Sequence, residues 1–428
     1  MPDPKPRAAA TSLSPDVIVV GGGAVGVCVA LELARRSIQT TLVEREHSLG
    51  LACSAGNMGL ICPGHSAPIA TPKALRVGLR SLLDAEGPLH LRPRPALLGW
   101  LSRYVWACRP RNAERSTNTM RDVSDLSLRL HAELAAEGLH DTFVQRGLLS
   151  VAESEAGLSV VTDEAKANEA AGLDTQVLDG KELRKLEPAL ASHVVGGAYY
   201  PTEAHCDSLR FVESVGRAAA DAGATIQTGV EVLQLVRKGD AVTGVETTEG
   251  PQRADAVVLA GGSWSGQLGA TAGVHVPVQG GKGYHLEVAP GDGDPVIPAI
   301  LFEARTAATP LDGRIRLGGT LELAGLDLSV SRRRVEAIRV AACRGYPALA
   351  GRPVRHVWRG LRPCSPDGVP IVGPANEVTG LLLATGHTQM GLALAPITGR
   401  LIAERVAGEP PSYDLRALSP SRFHTPLG

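Results

Sequence analysis

The segment Asp16-Val17-Ile18-Val19-Val20 runs directly into Gly21-Gly22-Gly23-Ala24-Val25-Gly26, and no other stretch constrains the fold as tightly. A continuous β-branched run marks a strand covered on both faces. Val27 to Arg36 then reads as a helix, Thr40 to Val43 as a second short strand, and Glu44-Arg45 closes it. Strand, glycines, helix and acidic residue together make one βαβ unit of about 30 residues with a dinucleotide fingerprint. Gly21 permits a tight turn, Gly23 removes a side chain that would block a pyrophosphate, and Gly26 lets the helix pack close to the strand. The helix N-terminus turns unsatisfied N–H groups toward the phosphates, and Glu44 suits the ribose hydroxyls. A purely structural glycine turn is the alternative, and the placing of Glu44 argues against it.

With 428 residues, the chain exceeds one ordinary domain. Its charges nearly cancel, 43 Lys+Arg against 44 Asp+Glu, so a nucleic-acid partner is not expected. The seven cysteines form no C-x-x-C pair and no ligand spacing with histidine, so no metal site is expected and the thiols read as reduced. Residues 1–15 read as a flexible tail without a signal-peptide core. The apolar run Val17 to Leu31 is interrupted by glycines and is shorter than the ~20 residues a membrane span needs. The expected location is cytoplasmic.

Position in the chain separates FAD from NAD. A pyridine-nucleotide enzyme usually follows such a unit with more βα repeats, whereas here an irregular Gly/Ala/Ser/Pro-rich stretch follows, Leu51 to Pro72. A buried strand, Ala254 to Ala260, ends in Gly261-Gly262, and a strand-glycine-helix closes the chain at Gly380 to Ala407. That arrangement suits a long FAD touched by both ends of the chain. Helices are also predicted over Met120 to Leu139, Asp163 to Leu186, Ser208 to Ala222 and Gly391 to Ala407.

The motifs are familiar as a set: the N-terminal glycines with Glu44, Ser54-Ala55-Gly56-Asn57, Pro63-Gly64-His65-Ser66-Ala67-Pro68, Lys282-Gly283-Tyr284, Arg314 to Gly319, Gly360-Leu361-Arg362-Pro363-Cys364-Ser365-Pro366-Asp367-Gly368, and Thr385-Gly386-His387. From Asp16 to about Ser412 the chain resembles the D-amino acid oxidase and glycine oxidase superfamily of FAD enzymes, most nearly its D-amino acid dehydrogenases of the small-subunit type. The resemblance implies an α/β fold, a Rossmann-like FAD-binding domain of glutathione-reductase type interleaved with a mixed-sheet substrate domain. It assigns 16–70, 201–276 and 357–412 to the FAD domain, 71–200 and 277–356 to the substrate domain, and 413–428 to a C-terminal tail. Non-covalent FAD is implied at Gly21, Gly23, Ala24, Val25, Gly26, Glu44, Arg45, Ser54, Ala55, Gly56, Asn57, Met58, Val230, Ala260, Gly261, Gly262, Arg362, Gly386, His387, Thr388, Gln389 and Met390.

Arg362 matches the arginine that grips a substrate carboxylate, and a planar guanidinium does this bidentately. The alternative is a structural arginine paired with Asp367. His387 is a positioning residue or a base, and Tyr284 either lines the substrate cavity or packs between sheets. Arg305, Thr306 and Gln389 complete the implied substrate residues. Cys364 reads as a buried thiol in preference to a flavin attachment point. Arg316 falls near the lysine by which some relatives engage dioxygen, and an arginine there favours a quinone or another carrier as electron acceptor.

The implied reaction is oxidative deamination of a D-amino acid. One alternative is an imine-forming oxidase of secondary amines or glycine, using dioxygen. Another is a flavin protein that only transfers electrons, without amine chemistry. Residues 73–111, with Trp100, Tyr104, Trp106 and several arginines, suit either a lid on the substrate domain or a peripheral membrane contact. Oligomeric state has no signature in the sequence.

Overall fold

The computed structural model describes residues 16–81, 89–91, 97–323 and 325–423. The expected tail at 1–15, parts of the 73–111 segment and the last five residues lie outside them. The first sheet has six strands in the order Ile371–Pro374, Leu381–Thr385, Ala256–Leu259, Val17–Val20, Thr40–Glu44, Thr225–Thr228. All are parallel except the outermost, Ile371–Pro374. Val17–Val20 pairs with Thr40–Val43 on one side and Ala256–Leu259 on the other, and no residue in it exceeds 4% exposure. That is why its sequence is an unbroken apolar run instead of an alternating one.

The helix Ala24–Arg35 lies over this sheet against the last helix, Ala395–Ala407, and the helix Ser208–Asp221. A Cβ on Gly399 would stand 2.6 Å from the Cys28 backbone, so the two helices cross with no room for a side chain. A small antiparallel sheet, Val232–Lys238, Ala241–Thr247 and Gly250–Arg253, adjoins.

The second large sheet has nine strands. Its main path runs Val354–Cys364, Gln279–Val288, Arg314–Leu323, Thr306–Leu311, Ala299–Leu301, Leu148–Ala152, Gly196–Tyr200, Gln176–Asp179, and Leu89–Leu91 pairs beside Arg314–Leu323. The helix Arg332–Gly345 covers one face, burying Ile338 and Ala342 among Tyr284, Leu286, Leu317 and Tyr346. The other face looks toward the nucleotide-binding unit.

Several local expectations change. The helix predicted from Met120 begins at Pro110, whose ring suits the first helical turn. Asp163 to Leu186 is not one helix: Glu155–Ala170 stops before Gly172 (φ +88), Gln176–Asp179 is a strand, and Asp179 with Glu182 forms a capping box for Gly180–Leu186. The last helix starts at Ala395, not Gly391, because Thr388 is left-handed (φ 52) and Pro396 lies in the first turn. Residues 357–364, expected with the FAD domain, pair with Gln279–Lys282 and their neighbours in the large sheet. Residues 413–423 dock on the outermost strand, where the Val372 N–H donates to the Leu418 carbonyl.

Candidate active site

One cavity of about 1630 Å³ runs between the two sheets. It exceeds the roughly 300–1,000 Å³ of ordinary small-molecule pockets, as space for a dinucleotide together with a substrate requires. At its nucleotide end each fingerprint glycine has a separate function. Gly21 is left-handed (φ +108), and a Cβ there would stand 2.7 Å from the Ala260 carbonyl oxygen. A Cβ on Gly26 would come within 1.8 Å of the Gly21 carbonyl oxygen, so only glycine lets the helix meet the strand. A Cβ on Gly23 would touch only Ser54 Oγ, at 3.1 Å, and otherwise project into the cavity.

The N-cap residue of the helix that follows, Gly23, has no side chain to cap it and no acidic residue stands in its first turn; Ser54 Oγ accepts from the Ala24 N–H at 3.0 Å. Glu44 lines the cavity with one carboxylate oxygen on the Gly22 N–H and the other on the Glu46 N–H at 2.9 Å. Those bonds orient the carboxylate and leave lone pairs for ribose hydroxyls. Arg45 stacks over the Trp264 ring at 3.9 Å. Thr388 Oγ1 is buried on the wall with no partner among the described residues, an orphaned polar atom of the kind a bound cofactor satisfies. The residues present fit FAD.

Farther along, Asn57 Nδ2 donates to the Gln389 carbonyl at 3.2 Å and joins the two loops on the cavity wall. Trp358 lines the cavity, stacked on His285 (centroids 5.2 Å apart, planes 12°). A Cβ on Gly56 or Gly360 would approach that indole within about 2.1 Å, so both glycines form its slot. His285 Nδ1 in turn meets the Gly56 carbonyl at 3.1 Å.

Arg362 lies on the wall beyond. Its Nη1 donates to the Thr320 carbonyl at 2.8 Å, and among the described residues it has no carboxylate partner. Asp367 pairs instead with Arg422, at 2.7 and 3.2 Å. A Cβ on Gly283 would strike the Arg362 guanidinium at 2.2–2.6 Å, so the glycine of Lys282-Gly283-Tyr284 is the floor on which that guanidinium lies.

His387 is fully buried on the wall, its Nε2 2.9 Å from Thr398 Oγ1, and burial pushes its pKa down to about 3. It is a neutral, fixed imidazole at ordinary pH. Tyr284 is on the opposite face of its strand from Gly283, within the core under the helix Arg332–Gly345. Its hydroxyl donates to the Ser329 carbonyl at 3.4 Å and it does not reach the cavity. Arg316 also stays off the wall: it binds Glu287, the Asn57 carbonyl and Ser208, and so braces the Asn57 loop from behind. Cys364 is buried with its thiol pushed up to about 12 by burial, an inert sulfur.

His285, Glu287 and His356 bring ligand atoms within 4.8 Å of one another. Glu287 Oε1 already accepts from Arg314 and Arg316, however, and two guanidiniums there oppose a cation.

The wall therefore gathers Gly21, Gly23, Ala24, Val25, Glu44, Arg45, Ser54, Gly56, Asn57, Met58, Ala260, Gly261, Gly262, Arg305, Thr306, Arg362, His387, Thr388, Gln389 and Met390. Gly26, Ala55, Val230, Gly386 and Tyr284 are not on it. Val230 spends its N–H on the Glu44 carbonyl (3.0 Å), and its neighbours Glu231, Val232 and Leu233 line the cavity in its place. Thr320, Trp358 and Gly283 received no role from the sequence. The facing glycines Gly283 and Gly360 in two long strands were the available signal of close approach.

The chain matches the family described as FAD dependent oxidoreductase (DAO) over residues 16–405. It is 35% identical over 416 residues to a D-amino acid dehydrogenase of Methylobacterium radiotolerans, covering 95% of this chain and 99% of the relative. It is 33% identical over 419 residues to one of Sinorhizobium medicae, with 95% and 99% covered. Among solved structures, glycine oxidase from Geobacillus kaustophilus superposes with a TM-score of 0.78 at 24% identity, covering 95% of this chain and 98% of that one. L-proline dehydrogenase from P. horikoshii gives 0.73 at 20%, covering 96% and 98%. The family match over residues 16–405 and a relative 35% identical over nearly its whole length place the chain in the FAD-dependent oxidoreductase (DAO) family, and its glycine cradle agrees.

Proposed function

We propose that the protein carries out oxidative deamination of D-amino acids, as the names of its relatives indicate for them. The observation that carries the reading is the Arg362 guanidinium: it lies on the cavity wall, is held by the Thr320 carbonyl and lacks an internal carboxylate. Bound FAD supplies a two-electron acceptor for the hydride on the substrate Cα. Arg362 binds the α-carboxylate bidentately and so fixes which hydrogen faces the cofactor. His387 carries no charge and, tied to Thr398, keeps the wall in place without acting as a base. The substrate amine must enter neutral, and the imino acid product hydrolyses to a 2-oxo acid and ammonia.

Electrons pass to a quinone or to dioxygen. Arg316 is engaged behind the Asn57 loop, so it carries no weight in that choice. Lys73 and Ala74 line the cavity, Trp100 Nε1 donates to the Cys364 carbonyl (3.0 Å), and Tyr104 donates to the Ile69 carbonyl (3.2 Å). Inward packing of this kind supports a lid over a membrane contact. No helix among the described residues is long and apolar enough to cross a membrane.

The test is anaerobic mixing of the yellow holoprotein with D-amino acids, their L-forms, D-proline, sarcosine and glycine. Bleaching by D-amino acids supports the reading. Bleaching only by secondary amines or glycine moves the protein to imine-forming oxidation, and no bleaching by any of them overturns amine chemistry.

A further inference from the structure

Resting on the deamination reading, we infer that the preferred substrate bears a second carboxylate on its side chain, received by Arg305. Arg305 lies on the cavity wall in a left-handed backbone conformation (φ 50). Such a conformation is strained for a non-glycine residue and gathers where function requires it. Among the described residues only Ser37, Arg305, Thr320 and Thr388 share it, and the last three all line this cavity.

The geometry ties Arg305 to Arg362. The Arg305 carbonyl oxygen lies 3.0 Å from where a Gly319 Cβ would stand, and Thr306 pairs with Gly319. The next residue, Thr320, is the one whose carbonyl holds Arg362. Both arginines thus attach to adjacent points of the strand Arg314–Leu323.

The other charged groups at this end have partners. Glu303 accepts from the Glu153 N–H, the Ser154 N–H and Ser154 Oγ, at 2.8–3.2 Å. Arg334 pairs with Glu322 at 3.1 Å, and Lys73 with Glu164 at 4.0 Å. Arg305 has neither an ion pair nor a side-chain hydrogen bond among the described residues. One α-carboxylate occupies Arg362, and Arg305, exposed on the cavity wall and without a protein partner among the described residues, can receive a second anion. An acidic amino acid provides both, since a guanidinium fork accepts each carboxylate in turn.

The experiment compares isosteric pairs, D-glutamate with D-glutamine and D-aspartate with D-asparagine, by rapid anaerobic flavin reduction. In parallel, calorimetry on the holoprotein compares glutarate with butyrate, which differ by one carboxylate and cannot react. Wild type is expected to prefer the acid of each pair by at least about tenfold, the size of a charged hydrogen bond. Arg305→Asn, which accepts a left-handed backbone, should bring the ratio near one, and Arg305→Lys should restore part of it. No preference, or one that survives Arg305→Asn, overturns the inference and leaves deamination standing. If no amino acid bleaches the flavin, deamination falls. Arg305-dependent selection of glutarate over butyrate would then still support the dicarboxylate site, and its absence would remove that too.

Discussion

Asp367 and Arg422 bind each other through two hydrogen bonds, and that pairing leaves Arg362 available to a ligand. Arg362→Ala is expected to retain FAD and lose about 10²–10³-fold in kcat/KM for flavin reduction, the cost of truncating one partner of a closed charge pair. Arg362→Lys should recover little, since a point charge does not replace the fork. Asp367→Asn should lower the unfolding midpoint and leave the kinetics near wild type. Stopped-flow reduction and thermal melts measure the two effects, and near-normal reduction in Arg362→Ala would refute its role.

Gly23 and Gly26 should fail in different ways. Gly26→Ala drives a methyl into the Gly21 carbonyl, so expression and the apoprotein melt both drop. Gly23→Ala meets only Ser54 Oγ, so the apoprotein should melt as wild type while FAD affinity falls at least about tenfold. Fluorescence titration of apoprotein with FAD separates them.

Acid should destabilise the fold through buried imidazoles. Burial lowers the pKa of His131 and His205 to about 4, of His285 and His387 to about 3, and of His140 to about 2. The unfolded chain takes up these protons near pH 6.5 and the folded one resists them, so stability is lost as pH falls from about 6.5 toward 4. Each such histidine contributes a slope of at most about 1.4 kcal/mol per pH unit. Urea midpoints at pH 7.5, 6 and 5 measure this, and a flat series would contradict the buried neutral state. The reduction rate should rise with pH as the substrate amine deprotonates, with no step from His387.

Lys282 is buried, and its ammonium binds Asp327 (2.9 Å) and the Ser329 carbonyl (3.0 Å). It thereby holds the turn from which Ser331, Arg333 and Arg334 reach the cavity. Lys282→Met should cost about 1–3 kcal/mol, the worth of hydrogen bonds to a charged group, since the Asp327 left behind is partly exposed and keeps Ser329, and raise KM more than it lowers the rate of reduction. Urea melts and a substrate titration decide it.

The nucleotide cradle was legible because its parts are local: strand, turn, helix and acid lie within thirty residues, and each glycine has a steric reason. The arginine site was legible only through family resemblance, since nothing near Arg362 announces Thr320 or Gly283. Tyr284 shows what a motif leaves open. Successive residues of a strand face opposite ways, so one position separates the floor under Arg362 from the core beneath the helix. Likewise, Trp358 rests in a slot made by Gly56 and Gly360, and no local pattern joins the first of these to the others. At the break after Ala170 the signal was present, since Gly172 takes the left-handed conformation a helix stop uses and Thr175 and Val177 beyond it favour a strand.

The six-stranded sheet also sets an order on synthesis. A ribosome that has finished Val17–Val20 and Thr40–Glu44 must add Ala256–Leu259 before the central strand has its second neighbour, and Leu381–Thr385 before that neighbour is covered. Until then the nascent chain holds a glycine cradle with half of its walls, exposed strand edges and no closed place for its cofactor. Closure of the cofactor's site therefore waits until nearly the whole chain has been made, a consequence of the way these strands are interleaved.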